Sequence, residues 1–98
     1  MIYVAATFRI RPGTIEAFVA AAYIAIDTAR REPGCLLYDL HASVTDPDRL
    51  VCLEQWDSRE TFDRHLAAPH IATFSEAIKP YVLSTRVEII HPDHVDTI

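Results

Sequence analysis

Glycine and cysteine are scarce in this chain, and its basic residues do not cluster. Two glycines, Gly13 and Gly34, cannot build a glycine-rich phosphate loop or the dinucleotide fingerprint, which need several glycines at fixed spacing so that backbone amides reach the phosphates. A nucleotide cofactor is therefore not expected. Two cysteines, Cys35 and Cys52, are too few for a disulfide scaffold. Both lie in apolar strand-like runs, where a reduced, packed thiol is the usual state. Neither adjoins a helix end that would stabilise a thiolate, and no serine sits in a nucleophile-elbow sequence, so covalent catalysis has no support. Nine Lys and Arg stand against fourteen Asp and Glu, for a net charge of −5, and the longest basic run is Arg30-Arg31. Nucleic acid and anionic membrane are thus poor partners, because both need a concentrated cationic face. The longest apolar run, Ala17 to Ile26, is half the ~20 residues that span a bilayer. Met1-Ile2-Tyr3-Val4 carries neither the basic stretch nor the cleavage site of a secretory signal, and with the reduced thiols this points to a cytoplasmic protein.

What is present is a single domain's worth of apolar sequence. Half of the 98 residues are hydrophobic, and the whole chain, 1–98, reads as one domain with a polar tail over 91–98. So short a chain buries only ~60–65% of its unfolded surface, which makes self-association an expectation. Ile2 to Ile10 is β-branched and aromatic and ends at Arg11-Pro12-Gly13, a strand followed by a turn. Thr14 is placed to cap a helix in which Ile15, Phe18, Val19, Ala22, Ile26 and Ala29 recur at helical spacing, and Pro33-Gly34 ends it. Cys35 to Ala42 and Arg49 to Trp56 form a hairpin around Thr45-Asp46-Pro47-Asp48. The period of two puts Leu50, Cys52, Glu54 and Trp56 on one face. Asp57 with Glu60 suggests a capping box for a short helix carrying Phe62, His65 and Leu66. Pro69 fits a helix first turn, and Ile71, Phe74, Ala77 and Ile78 continue the apolar stripe until Lys79-Pro80. Val82 to Ile90 is the last strand, with Leu83, Thr85, Val87 and Ile89 inward. The order β-α-β-β-α-β is the split βαβ pattern, an α+β class with one antiparallel sheet and helices on a single face.

The residues able to carry chemistry are Tyr38, Glu54, Trp56, His65, His70 and Tyr81, polar groups interleaved with aromatics as in small-molecule pockets. His65 is the candidate base, since an imidazole titrates near neutrality; on spacing alone it reads more readily as a residue covering the end of a short helix. Glu54 on an apolar face is either an ion-pair partner or a carboxyl with a raised pKa. Trp56 and Tyr38 serve as packing or as a stacking platform. His65 and His70 are five apart with Pro69 between, not the one-face spacing of a zinc helix, and His91 and His94 fall in the tail, so no metal site is assigned. His41 reads as a solvated hairpin position.

The run Glu54-Gln55-Trp56-Asp57-Ser58, followed by Phe62, His65-Leu66, Pro69-His70 and Phe74-Ser75-Glu76-Ala77, resembles the antibiotic biosynthesis monooxygenase family, especially its quinol-monooxygenase-like bacterial members. Arg11-Pro12-Gly13, Glu32-Pro33-Gly34-Cys35 and Tyr38 are similar to it as well. The resemblance implies a ferredoxin-like fold whose sheet pairs with a second subunit's to form a dimeric α+β barrel. It also implies oxygenation of a quinol-like or polycyclic phenol by dioxygen with no metal or flavin cofactor. On that footing His65 and Glu54 are the catalytic pair, His65 acting as base or hydrogen-bond partner, while Trp56, Tyr38, His70 and Phe74 line the pocket or orient the substrate. The haem-degrading branch is a poor match, because Thr7, His65 and Ser75 stand where its members carry Asn, Trp and the haem-ligating His. Two other readings stay open, since fold does not fix function. One is an isomerase-like enzyme for a small oxygenated metabolite, which would need Arg9, Arg11 or Arg86 turned inward; the other is a non-catalytic ligand-binding dimer.

Overall fold

The computed structural model describes residues 1–98. Seven elements follow the chain: β1 (Ile2–Ile10), α1 (Ile15–Arg30), β2 (Cys35–Ala42), β3 (Arg49–Trp56), α2 (Arg59–Ala67), α3 (Pro69–Ile78) and β4 (Val82–Ile90). The strands form one antiparallel sheet in the order β2-β3-β1-β4. This is the expected split βαβ arrangement, with the second helical unit in two pieces. No helix is long and apolar enough to cross a membrane.

Alternation decides which face the helices cover. Ile2, Val4, Ala6, Phe8 and Ile10 of β1 are buried together with Leu50, Cys52, Glu54 and Trp56 of β3, and the intervening residues point to the other side. Against that face pack Phe18 and Ala22 of α1, Phe62 of α2 and Phe74 and Ile78 of α3. Phe8, Phe18 and Phe74 meet in tilted and edge-on pairs at centroid distances of 5.2, 6.3 and 6.2 Å, the geometry favoured by ring quadrupoles. The opposite face, with Tyr3, Ala5, Thr7, Val51 and Leu53, is left half-buried to exposed in the single chain.

Local chemistry differs from the expectations at three points, Thr14, the cap of α2 and Leu83. Thr14 makes no side-chain cap; its hydroxyl donates back to the Arg11 carbonyl at 2.6 Å within the turn. The cap of α2 is Ser58, not Asp57: Ser58 Oγ accepts from the Thr61 amide, and Asp57 Oδ1 instead accepts from the Thr61 hydroxyl at 2.8 Å. Leu83 is not inward. A register shift opposite Arg9 and Ile10 puts Val82 in the inward position and leaves Leu83 51% exposed; a period of two fails wherever a bulge adds a residue. Ala68, in extended conformation with ψ 142°, separates α2 from α3, because a residue before proline is driven out of the helical region. In the hairpin, by contrast, the Arg49 amide donates to the Asp46 carbonyl, which makes Pro47 the first central residue of the turn as expected.

Candidate active site

Three elements bring the site together at one end of the sheet. Glu54 lies on the inward face of β3 and is 5% exposed. His65 projects from the last turn of α2 and is 3% exposed. Glu32 comes from the turn joining α1 to β2, which is clasped to the start of α2 by the Asp57 amide donating to the Gly34 carbonyl at 2.9 Å. That turn can approach so closely only because Gly34 has no side chain. Its φ is +87°, and a Cβ there would lie 2.6 Å from both Asp57 Oδ1 and Thr61 Cγ2.

His65 is held through one ring nitrogen, Nδ1, while Nε2 faces Glu54 from beyond hydrogen-bonding distance. Nδ1 lies 2.9 Å from Glu32 Oε1, and Nε2 lies 4.0 Å from Glu54 Oε1. A carboxylate oxygen accepts, so Nδ1 carries the ring proton, and in the neutral imidazole Nε2 offers its lone pair on the Glu54 side. Its ring lies 4.7 Å from that of Trp56, 6.0 Å from Phe62 and 5.4 Å from Tyr38. This apolar cage disfavours the imidazolium: burial lowers the His65 pKa, and the Glu32 hydrogen bond and charge offset part of that effect. Burial acts on Glu54 in the opposite sense, raising its carboxyl from 4.5 to about 7 even though the Trp56 indole donates to Oε1 at 2.9 Å; the Glu32 charge raises it further. A neutral base and a carboxyl poised near neutrality therefore stand side by side.

Both border a cavity of about 380 Å³ between the sheet and the α2–α3 pair, lined mostly by apolar side chains. Its size is that of a small-molecule site. Tyr38 and Phe74 line it with His65 and Glu54, while Ser75 and Lys79 are further polar groups on its wall. Trp56 and His70 do not line it. Trp56 is fully buried behind Glu54 as the donor to its carboxyl, and His70 stands on the far side of His65, its ring 5.7 Å away and its Nε2 2.8 Å from Glu32 Oε1. Tyr38 is buried, and burial pushes its phenol well above the ordinary value, so it stays neutral. The thiols are inert for the same reason: burial, first among the causes, pushes Cys52 up to about 12 and Cys35 up to about 11.

Glu32 is the site residue that sequence reasoning does not single out. It belongs to no periodic pattern and meets His65 across thirty-three positions of chain. The available signal is indirect. Pro33-Gly34 fixes a tight turn, and Cys35 pairs with Trp56, so the turn must sit at the end of the sheet where Glu54 and Trp56 lie.

A family model described as antibiotic biosynthesis monooxygenase matches residues 1–77. The chain belongs to the antibiotic biosynthesis monooxygenase family. Its likeness to individual proteins runs along almost its full length. It is 34% identical to the Escherichia coli K12 protein named "Probable quinol monooxygenase YgiN", over 94% of this chain and 98% of that one. Among solved structures, protein SO0527 of Shewanella oneidensis superposes with a TM-score of 0.86 at 34% identity, covering 93% of this chain and 89% of that one. Rv0793 of Mycobacterium tuberculosis does so with a TM-score of 0.88 at 28% identity, over 98% of each chain. None of the three arginines that the isomerase-like reading would turn inward reaches the cavity wall, where the one Lys or Arg side chain is Lys79. Arg9 is paired with Asp46 at 2.7 Å, Arg11 donates to the Pro80 carbonyl at 3.2 Å, and Arg86 lies beside Glu88 at 3.4 Å.

Proposed function

We propose that this chain is a monooxygenase that inserts one oxygen atom of dioxygen into a quinol-like or polycyclic phenol, with the substrate itself as reductant and no cofactor in the oxygen step, and that it works as a homodimer. The observation that carries the reading is His65, whose Nδ1 proton is fixed by Glu32 so that a bare Nε2 stands beside Glu54 at the wall of an apolar cavity. In the reaction His65 Nε2 takes a phenolic proton, and the electron-rich phenolate donates to dioxygen. Overall, one oxygen atom forms a bond to a ring carbon, the O–O bond breaks and the other atom leaves as water. The four electrons come from the quinol, which ends as a hydroxylated quinone, so no external reductant enters. Glu54, with its carboxyl near neutrality, exchanges the proton with the imidazolium that forms or hydrogen-bonds the phenolate. Tyr38 and Phe74 enclose the ring; Trp56 orients Glu54, and His70 stands behind His65. The name carried by the Escherichia coli relative supports the substrate class. The half-exposed outer sheet face supports the dimer, and the absence of a membrane-length helix is consistent with a cytoplasmic protein.

The test is oxygen uptake by chelator-treated protein with a panel of reduced quinols and anthrone-like phenols. Uptake should exceed the protein-free autoxidation rate and fall by at least about 100-fold in His65→Gln, the scale of a lost general base, with folding of the variant checked by circular dichroism. Uptake no faster than autoxidation across the panel refutes the reading and leaves a binding dimer.

A further inference from the structure

We propose that Glu32, His65 and His70 form a binding site for a divalent first-row transition-metal ion, on the side of His65 turned away from the cavity. Three donor atoms converge there, Glu32 Oε1, His65 Nδ1 and His70 Nε2, all within 4.8 Å of one another. Two imidazoles and one carboxylate are a donor set that zinc and its neighbours favour, and three protein ligands leave positions open for water.

His70 supplies the second, independent observation. Its Nε2 is buried and has no hydrogen-bond partner, although Glu32 Oε1 is only 2.8 Å away. At that distance only direction can prevent a hydrogen bond, so the oxygen lies well off the axis along which Nε2 donates or offers its lone pair. Two donors bound to one ion at ~2.1 Å and near a right angle sit ~3 Å apart, each far off the other's lone-pair axis. His70 Nε2 already stands off axis from Glu32 Oε1 in this way, whereas His65 Nδ1 points at the same oxygen in a hydrogen bond and would turn off that axis when an ion enters. An unpaired buried polar atom is costly, and a cation on its lone pair removes the cost. The side chains of His70 and Glu32 are 20% and 18% exposed, which gives an ion a way in.

The chain builds this set by breaking a helix. On one continuous helix, residues five apart diverge by about 140°. Here Ala68 leaves the helical region before Pro69, and His70 swings back to the ring of His65. The turn held at Gly34 supplies Glu32 from the other side.

The site stands on these donors alone and does not depend on the proposed oxygenase role. If His65 has that role, occupancy has a consequence for it. A neutral imidazole that ligates through Nδ1 keeps its one proton on Nε2, so a bound ion silences the base.

Chelator-stripped protein titrated with Zn2+ against a chromogenic competitor, and with Co2+ followed by visible absorption, tests the site. The expected result is one ion per chain, with affinity reduced at least about tenfold in His70→Gln and again in Glu32→Gln. His41→Gln and His94→Gln, which remove the histidines paired with Asp39 and Asp96, should leave the titration unchanged. Circular dichroism shows whether each variant is folded, and because the two substitutions lie on different elements, one folded variant suffices. Binding well below one ion per chain overturns the site, as does a titration that His70→Gln and Glu32→Gln leave unaltered or that His94→Gln abolishes.

Discussion

Replacing Gly34 by alanine should be the most damaging small change in the molecule, and its cost can be divided into parts. The residue has φ +87°, where a Cβ costs about 1–2 kcal/mol for L-residues. The new methyl would also sit 2.6 Å from Thr61 Cγ2 and 2.7 Å from Thr61 Cβ, and overpacking of this kind adds about 1–3 kcal/mol. Together these give about 2–5 kcal/mol, a fall in Tm on the order of 10–30 °C for a chain of this size. Gly13 is the internal control. Its φ is +80°, but nothing lies within 4 Å of its absent Cβ, so Gly13→Ala should cost the backbone part alone. Urea unfolding followed by the fluorescence of Trp56 measures both. The difference between the variants isolates the close approach, and equal costs within about 0.5 kcal/mol would refute the claim that the turn is clasped to α2. Because the same turn carries Glu32, Gly34→Ala should also lower oxygen uptake in protein that remains folded.

Two further outcomes follow from the same geometry. The Glu54 carboxyl is raised from 4.5 to about 7, so its contribution is fully present below pH ~4.5 and is lost as pH rises through 7; relative to Glu54→Gln, wild-type chelator-treated protein should lose about 3 kcal/mol between pH 4.5 and 8.5, and a difference in urea-unfolding free energy that does not change with pH would contradict the buried, neutral carboxyl. Leu53, 41% exposed on the outer face of β3, should sit in the dimer interface, so Leu53→Arg should weaken self-association by at least about 100-fold in sedimentation equilibrium, since burying an unpaired guanidinium is costly, and an unaltered distribution would place the interface elsewhere.

Periodicity makes most of this fold legible because nearly every element has one buried face. The alternation in Arg49 to Trp56 places Glu54 inward among Leu50, Cys52 and Trp56, and there it is found, 5% exposed. The same rule misplaces Leu83, because the bulge opposite Arg9 and Ile10 adds a residue that no pattern of hydrophobicity announces. Capping is legible to within a residue and no better: Asp57, Ser58 and Thr61 all offer oxygens, and which one meets an amide is settled by how the turn packs beneath Gly34. Candidate site residues divide along a similar line. Those on regular elements facing the sheet's inner side, His65, Glu54, Tyr38 and Phe74, are brought to one cavity wall. Trp56 and His70 are a single layer further away, one behind Glu54 and the other behind His65, a distinction of a few ångströms that spacing does not encode. Glu32 is illegible by pattern because a turn has no period and its partners lie on another element.

Glu32 nonetheless governs what His65 can do. A neutral imidazole has one proton to place on two nitrogens, and here the two face different surroundings: Nδ1 meets Glu32, with His70 beyond it, and Nε2 meets Glu54 and the cavity. While Glu32 accepts from Nδ1, Nε2 is bare and can take a proton from a phenol. When Glu32 and Nδ1 share a cation, the proton must move to Nε2, and the same ring becomes a donor that can hold a phenolate but cannot create one. The base and the metal ligand are therefore alternative states of one side chain, chosen by what occupies the gap between Glu32 and His70. Removing Glu32 affects both states, whereas removing His70 affects chiefly the second. That asymmetry makes His70 the residue through which ion binding can be separated from proton transfer.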